Sequence, residues 1–278
     1  NVVDNFTQMY AQGLTPNPCV ECNRSVKFDH FINQAKKLNC DKVATGHYAK
    51  IIKNNDKYEL HKADYLDKDQ SYVLHMLKSS DLENITFPLG EISKPDVRQI
   101  AARIGLKTAF KKDSQDICFV GKKDYRSFVE KRIDLTSPGE IFDTEGNKVG
   151  DHNGIHEFTV GQRKGLPGGY GTPRYVTKIN VQNKNVTIGE KKDLLVSSFI
   201  VEELSCVNDL EYKNLTIQTR YNSEDLPCEI KKLSDTKILV QLKEPAFGVA
   251  PGQFGVIYNG TKVVCGGRIS SKVLENIG

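Results

Sequence analysis

Phe28-Asp29-His30-Phe31-Ile32-Asn33-Gln34-Ala35-Lys36-Lys37-Leu38-Asn39-Cys40-Asp41-Lys42-Val43-Ala44-Thr45-Gly46-His47-Tyr48-Ala49 runs from an amphipathic helix directly into an apolar strand. Phe28, Phe31, Ile32, Ala35 and Leu38 share one helical face, Asn39 to Asp41 close the helix, and Lys42 to Ala49 reads as a buried strand. Helix and strand joined by so short a connection are the grammar of an α/β sheet. His47 then stands at the carboxyl end of that strand, beside a glycine that lets a ligand approach the backbone, and ligands of open α/β sheets bind at such ends. A histidine that merely terminates a strand fits the same pattern.

Moving outward, Ile51-Ile52 and Tyr58 to His61, separated by Asn54-Asn55-Asp56, predict a hairpin. Ser93 caps a predicted helix with Pro95 in its first turn, Val97, Ile100, Ala101 and Ile104 on its buried face and Gly105 as its stop. After Pro138 the texture changes to glycine-rich turns and short strands, with turn signals at Glu145-Gly146-Asn147, Asp151 to Gly154 and Gly165-Leu166-Pro167-Gly168-Gly169. From about Leu195 there is no helical pattern. Alternating runs at Leu215 to Arg220, Lys237 to Leu242 and Gly255 to Tyr258, with the hairpin signal Asn259-Gly260, predict a small barrel or sandwich. The expected division is 1–135, 136–196 and 197–278.

Composition sets the frame for function. The 278 residues predict about two domains, and 38% hydrophobic with 27% charged residues describe an ordinary soluble chain. A net charge of +4 permits a polyanionic partner without demanding one. Seven cysteines are too few for a disulfide scaffold and leave an odd thiol, which favours a reducing compartment. With no membrane-length apolar run and no signal segment, the expected location is the cytosol. The chain begins with Asn1, inside what reads as an element, and looks like a piece of something longer.

The chemistry lies in the thiols. Cys19 and Cys22 stand three apart in Pro16-Asn17-Pro18-Cys19-Val20-Glu21-Cys22-Asn23, ahead of a helix whose dipole can stabilise a thiolate. Half a zinc site, a redox dithiol and coincidence all fit the pair alone, and no second Cys-x-x-Cys completes a structural zinc site. Cys118, between Asp113-Ser114-Gln115-Asp116 and Phe119-Val120-Gly121, has a loop-like setting, whereas Cys40, Cys206, Cys228 and Cys265 adjoin apolar runs and read as buried structural thiols. Lys68-Asp69-Gln70-Ser71-Tyr72 reads as a solvated, capped helix start. Gly161-Gln162-Arg163-Lys164-Gly165 suits a phosphate contact or an ordinary charged turn, and Arg220-Tyr221 can hold an unstacked base or simply face solvent.

Taken together, Thr15 to Asn23 with Lys27-Phe28, Ala44 to Ala49, Lys68 to Tyr72 and Asp116-Ile117-Cys118-Phe119 resemble the tRNA 2-thiouridylases, the MnmA/TrmU family. So do Pro138-Gly139, Gly154-Ile155-His156, Thr159 to Leu166, Thr219-Arg220-Tyr221 and Ala250-Pro251-Gly252-Gln253. The resemblance implies an α/β fold, a truncated adenine-nucleotide-hydrolase-like parallel sheet, then a β-rich central domain and a C-terminal β-barrel. It implies a sulfurtransferase that makes 2-thiouridine at the wobble position of tRNA, with ATP and magnesium activating the C2 oxygen and a persulfide delivering sulfur. By position, Cys118 matches the persulfide carrier and Cys22 the second catalytic thiol, which attacks the persulfide or closes a disulfide. Gly46 falls at an ATP contact, and Asn17, Pro18, Cys19, His47, Lys68, Asp69, Gln70, Arg220, Tyr221 and Gln253 fall where the family contacts tRNA or its target base.

The implied partners are the tRNA anticodon arm and a sulfur-donor protein such as a cysteine desulfurase or sulfur relay protein, with the chain acting as a monomer. Two departures from the family pattern stand out. The Ser-Gly-Gly-x-Asp-Ser loop that cradles ATP phosphates does not occur here, so this chain by itself is expected to lack the adenylation step and to act as a tRNA-binding module unless the loop is supplied. Cys19 takes a place where other members carry Asp, so Cys19, Cys22 and Cys118 offer themselves as ligands of a 4Fe–4S cluster as the alternative to a persulfide.

Overall fold

Two prolines set the first functional turn: Asn17 is held extended (φ −119°, ψ 91°) ahead of Pro18, which opens the short helix α2 (Pro18–Glu21) at a position where its missing N–H costs nothing. A computed structural model describes residues 2–111, 117–121, 125–133, 137–206 and 213–271. Helix α1 (Val2–Ala11) precedes this turn. The chain then continues through a π-helical segment, Cys22–Phe28, into α3 (Asp29–Lys37), so that one continuous coil changes pitch just where Cys22 lies.

Among the described residues the α/β part contains one parallel strand pair, β1 (Val43–Ala44) with β4 (Ile85–Thr86), the latter preceded by the one-turn helix α4 (Ser79–Leu82). The predicted strand 42–49 is therefore split: β1 stops at Ala44, a loop carries Gly46 and His47, and Ala49 begins β2 (Ala49–Asn54). The predicted hairpin is present, β2 pairing with β3 (Lys57–Lys62) around Asn55 at φ +53°. It joins the barrel rather than the parallel pair, because His61 of β3 pairs with Lys262.

Helix α5 (Lys94–Arg103) forms as expected, with the Ser93 hydroxyl accepting from the Asp96 amide and Gly105 at φ +76° past its end. Its apolar face is nonetheless uncovered, with Ile100 at 38% and Ile104 at 63% exposure, and Leu106 and Phe110 beyond it are open as well. Two strands of two residues each are too narrow a sheet to cover a ten-residue helix, and a parallel sheet ordinarily has both faces packed. The same shortage exposes Phe31 and Leu38 at the margin of the α3 stripe, while Phe28 and Ile32 at its centre are buried.

The central part is a four-stranded sheet, order β6-β5-β8-β7, built from β5 (Gly139–Phe142), β6 (Lys148–His152), β7 (Tyr175–Asn180) and β8 (Asn185–Gly189). Its core is Ile141, Ile155, Phe158, Val176, Val186 and Ile188. The last part is a closed six-stranded barrel. Strands β9 (Leu195–Cys206), β10 (Leu215–Gln218), β11 (Leu226–Ser234), β12 (Lys237–Phe247), β13 (Phe254–Asn259) and β14 (Lys262–Ile269) run in the order β13-β10-β11-β12-β9-β14, and β14 closes onto β13.

Closure leaves no free edge among these strands. Val201, Ile217, Ile238, Val240, Ile257 and Val264 fill the inside. The other face of β13 and β14 presents Phe254, Val256, Tyr258 and Val263 to the α/β core of Phe28, Leu60, Tyr72, Leu74 and Leu82. This explains why Phe254 to Tyr258 is a continuous buried run rather than an alternating one.

Of the four cysteines expected to be structural, Cys228 and Cys265 are buried in the barrel. Cys40 is exposed, a correction to the expectation: it sits past the end of α3 in a turn where Asn39 takes φ +54°. Cys206 belongs to β9 by its backbone, and its side chain lies outside the described residues.

Candidate thiol site and its clamp

Cys19 and Cys22 are presented on successive turns of the coil that starts at Pro18, Cys19 exposed and Cys22 half-buried. Cys118 lies on the separate turn 117–121, where the Val120 amide donates to the Ile117 carbonyl at 3.0 Å and Gly121 takes φ +68°. That turn is fixed by aromatic packing. Phe119 lies edge-on to Phe6 of α1 at 5.3 Å and against Phe128 of α6 (Tyr125–Glu130) at 5.4 Å. Since α1 also packs against α2, the same helix holds both thiol-bearing segments. Cys118 itself is exposed, and residues 113–116 of the motif lie outside the described residues.

Two other sulfurs act on Cys19. Desolvation by the atoms crowding it raises the Cys19 thiol above its ordinary value, as do Cys118 and Cys22, while the Lys27 ammonium works in the opposite direction. The shift favours the neutral thiol at Cys19, which suits a contact residue rather than the attacking group. The sulfurs do not draw together into a single-ion site. Among the described residues the one group of three potential ligands within 4.8 Å is Glu130, His156 and Glu157, and there the buried His156 already bonds Glu130 at 2.9 Å.

His47 is buried at 8% exposure between Phe28 and Phe87. Its Nδ1 is 2.8 Å from the Thr45 hydroxyl and its Nε2 is 3.5 Å from Lys27 Nζ. Burial first, and the Lys27 charge second, lower its pKa to about 4, so the ring is neutral at physiological pH. Gly46 beside it is exposed, and a side chain there would meet only the tip of Leu89 at 3.6 Å, so the backbone is open to a ligand.

The Lys68-Asp69-Gln70 run is less solvated than expected. Asp69 is 7% exposed and accepts from the Ala63 and Ser71 amides and, at 2.6 Å, from the Ser71 hydroxyl. Burial still raises its carboxyl above the usual range. Gln70 accepts from the Tyr48 amide through Oε1 at 3.0 Å and donates its own amide to the Tyr48 carbonyl at 2.7 Å, pinning the loop that carries His47. Lys68 ends the short 3-10 turn before them.

Arg220 follows β10 and reaches the junction with the central domain, donating to the Val160 carbonyl at 3.4 Å. Gly161 and Gly248, both at positive φ, flank its guanidinium, a Cβ at either standing 3.3 or 3.5 Å from it. Tyr221 is 40% exposed, its ring 6.1 Å from that of Tyr72.

Gln253 does not face outward. Its amide donates to the carbonyls of Thr15 and Pro16 at 3.3 and 3.5 Å, and the Thr15 amide donates to Pro251 at 2.9 Å, so the barrel grips the loop that carries Asn17 and Pro18. A second grip was not legible in sequence. Arg268 of β14 donates to Glu21 at 3.4 Å and Glu203 at 3.3 Å, and its guanidinium lies 5.1 Å from the Phe254 ring centre. An arginine among Gly266, Gly267 and Ile269 in an otherwise apolar strand was the available signal.

Three family models match in series along the chain: the tRNA methyl transferase HUP domain over residues 1–122, the tRNA methyl transferase PRC-barrel domain over 126–190 and the aminomethyltransferase beta-barrel domain over 196–269. Among similar curated proteins is the tRNA-specific 2-thiouridylase MnmA of Chloroflexus aurantiacus, 42% identical over 275 residues, covering 97% of this chain and 77% of that protein. The proteins of the same name from Rickettsia prowazekii (41% identical, 98% and 78% covered) and Geobacter metallireducens (40%, 99% and 76%) are alike in extent.

Proposed function

This chain belongs to the tRNA-specific 2-thiouridylase family, and we propose that it carries out tRNA 2-thiolation through a persulfide on Cys118 with Cys22 as the resolving thiol. The observation that carries this reading is the pairing of an exposed thiol on a packed turn with a second thiol on a separately clamped coil, both held by α1. The terminal sulfur of a Cys118 persulfide forms the new bond to C2 of the wobble uridine as the activated oxygen leaves. The Cys22 thiolate then attacks Sγ of Cys118; the S–S bond breaks, its electron pair stays with the sulfur on C2, and a Cys22–Cys118 disulfide remains to be reduced.

ATP fits the exposed backbone at Gly46, beside the carboxyl end of β1, and when bound with magnesium it supplies the adenylyl group that makes the C2 oxygen a leaving group. The chain's own contribution there is the open loop 45–48, set in place by Gln70. Asn17, Pro18, Cys19, His47, Lys68, Asp69, Arg220, Tyr221 and Gln253 border the proposed tRNA site, several of them as its scaffold rather than its contact surface, with the base turned out of its stack toward the thiols. Among the described residues no helix is long and apolar enough to cross a membrane. The proposed setting is the cytoplasm, with sulfur brought by a sulfur-donor protein.

All three thiols lie on segments that α1 holds, which favours a second reading, in which Cys19, Cys22 and Cys118 hold an iron–sulfur cluster. Replacing Cys118 by Ser abolishes 2-thiouridine under either reading, read by nucleoside mass spectrometry; normal thiolation would sink both. Iron and sulfide counting after anaerobic reconstitution separates them, an active iron-free enzyme supporting the persulfide.

A further inference from the structure

The π-helical segment after Cys22 places Lys27 on the wall of the thiol site, half-buried, with its charge registering at Cys19 and its ammonium 3.5 Å from His47 Nε2. An ammonium has only hydrogens to give, so Nε2 is the acceptor, the ring proton sits on Nδ1, and Nδ1–H donates to the Thr45 hydroxyl at 2.8 Å. Both nitrogens of His47 are thereby occupied. The ring is buried against Phe28 and Phe87, and the group of this assembly that still has donors to offer is Lys27.

Among the described residues Lys27 has no carboxylate within ion-pair range, whereas other lysines that reach into the interior have one: Lys62 binds Asp225 at 2.5 Å and Lys262 binds Glu59 at 3.1 Å. A half-buried cation without a counterion is costly unless an anion arrives to meet it.

We propose that Lys27 is an anion-binding residue of the thiol site, oriented by the Thr45–His47 pair, and that it takes a phosphate oxygen of the bound substrate. This rests on the thiolation reading above. Phosphate reaches the site from two sources, the tRNA backbone near the turned-out base or the phosphate of the adenylylated uridine, and Lys27 binds either by the same charge-assisted hydrogen bond. His47 is then a positioning residue, holding the Lys27 ammonium through Nε2.

The test compares the unaltered chain with Lys27→Met and Lys27→Arg, measuring binding of unmodified tRNA against salt and 2-thiouridine formation at saturating tRNA. A backbone contact predicts that Lys27→Met flattens the slope of log K against log[salt] by about 1, with Arg restoring it. A contact to the adenylyl phosphate predicts an unchanged slope and turnover lowered roughly 10²-fold, partly restored by Arg. The proposal is overturned if Lys27→Met leaves both within twofold, or if Arg rescues neither and the thermal midpoint falls with them. Thiolation is measured with the adenylylating loop segment supplied; should the protein so completed bind tRNA yet form no 2-thiouridine, the thiolation reading fails by itself and the salt slope alone decides for or against Lys27.

Discussion

Arg268 and Glu21, separated by 247 residues, meet at 3.4 Å with only 13% and 12% of their side chains exposed, and Glu21 is the residue before Cys22. The strand that closes the barrel therefore holds the turn that carries the thiols. Arg268→Leu leaves a largely buried carboxylate with only Arg24 as partner and is expected to lower stability by about 2 kcal/mol. Thiolation kcat should fall about tenfold, with KM for tRNA moving less, because what is lost is near-attack placement of Cys22 rather than tRNA contact. Arg268→Lys should recover only part of this, since an ammonium cannot span two carboxylates as a planar fork does. An unchanged kcat with a raised KM would place Arg268 in tRNA binding instead.

The second grip can be tested without touching a charge. Gly252 takes φ +89°, and a Cβ there would lie 2.8 Å from both the Thr15 amide nitrogen and Leu14 Cβ. Gly252→Ala combines left-handed strain with overpacking against backbone and is expected to cost about 2 kcal/mol. Hydrogen exchange should quicken at the Thr15 amide, which loses its bond to Pro251, while the barrel strands keep their protection. Unchanged exchange at Thr15 would mean that the loop does not depend on the barrel.

Stability should fall with acid because of two histidines. His47 and the fully buried His75 are each lowered to about 4, chiefly by burial, whereas in the unfolded chain each titrates near its ordinary 6.5. Between those values the unfolded state binds more protons, so the contribution is complete above about 6.5 and is lost as pH falls toward 4. Urea unfolding should give a lower midpoint at pH 5 than at pH 7, and His75→Asn should flatten that dependence. A midpoint rising as pH drops would contradict the burial of both rings. Asp69, whose carboxyl is raised by burial, contributes in the opposite sense.

Phe110, at 84% exposure, and Ile104, at 63%, should tolerate charge. Ile104→Glu and Phe110→Glu in this chain are expected to change stability by no more than about 0.5 kcal/mol and to reduce binding of a hydrophobic dye. A loss of several kcal/mol in thermal unfolding would show that these side chains are covered in solution.

These exposed residues also mark where the sequence misleads. Helical periodicity reports that Ile100 and Ile104 share a face, and they do; it cannot report whether a sheet wide enough to cover that face is present. The barrel was legible because β10 and most of β12 alternate and Asn259-Gly260 marks the closing hairpin, with Gly260 at φ +59°; the run predicted to alternate at 255–258 is instead buried throughout, because its outer face meets the α/β core. The split of the predicted strand 42–49 was not legible, because after the Thr45 amide bonds Thr86 the chain turns away, His47 packing on Phe87 and Tyr48 pairing with Gln70, partners far along the chain. In the candidate site the thiols were visible as spacing. The partners that place them, Arg268 on Glu21 and Gln253 on Thr15, became visible only with the fold.

The most direct test of sulfur delivery by Cys118 is a single-turnover experiment on the Cys22→Ser protein, loaded with a low-molecular-weight persulfide donor and mapped by peptide mass spectrometry. A persulfide route predicts one extra sulfur atom on the Cys118 peptide before tRNA is added and, once activated tRNA is supplied, that sulfur linking Cys118 to C2 of the uridine, with no Cys22–Cys118 disulfide able to form and no free 2-thiouridine accumulating. An unmodified Cys118 in a protein that still thiolates tRNA, or the extra sulfur found on Cys19, would contradict it.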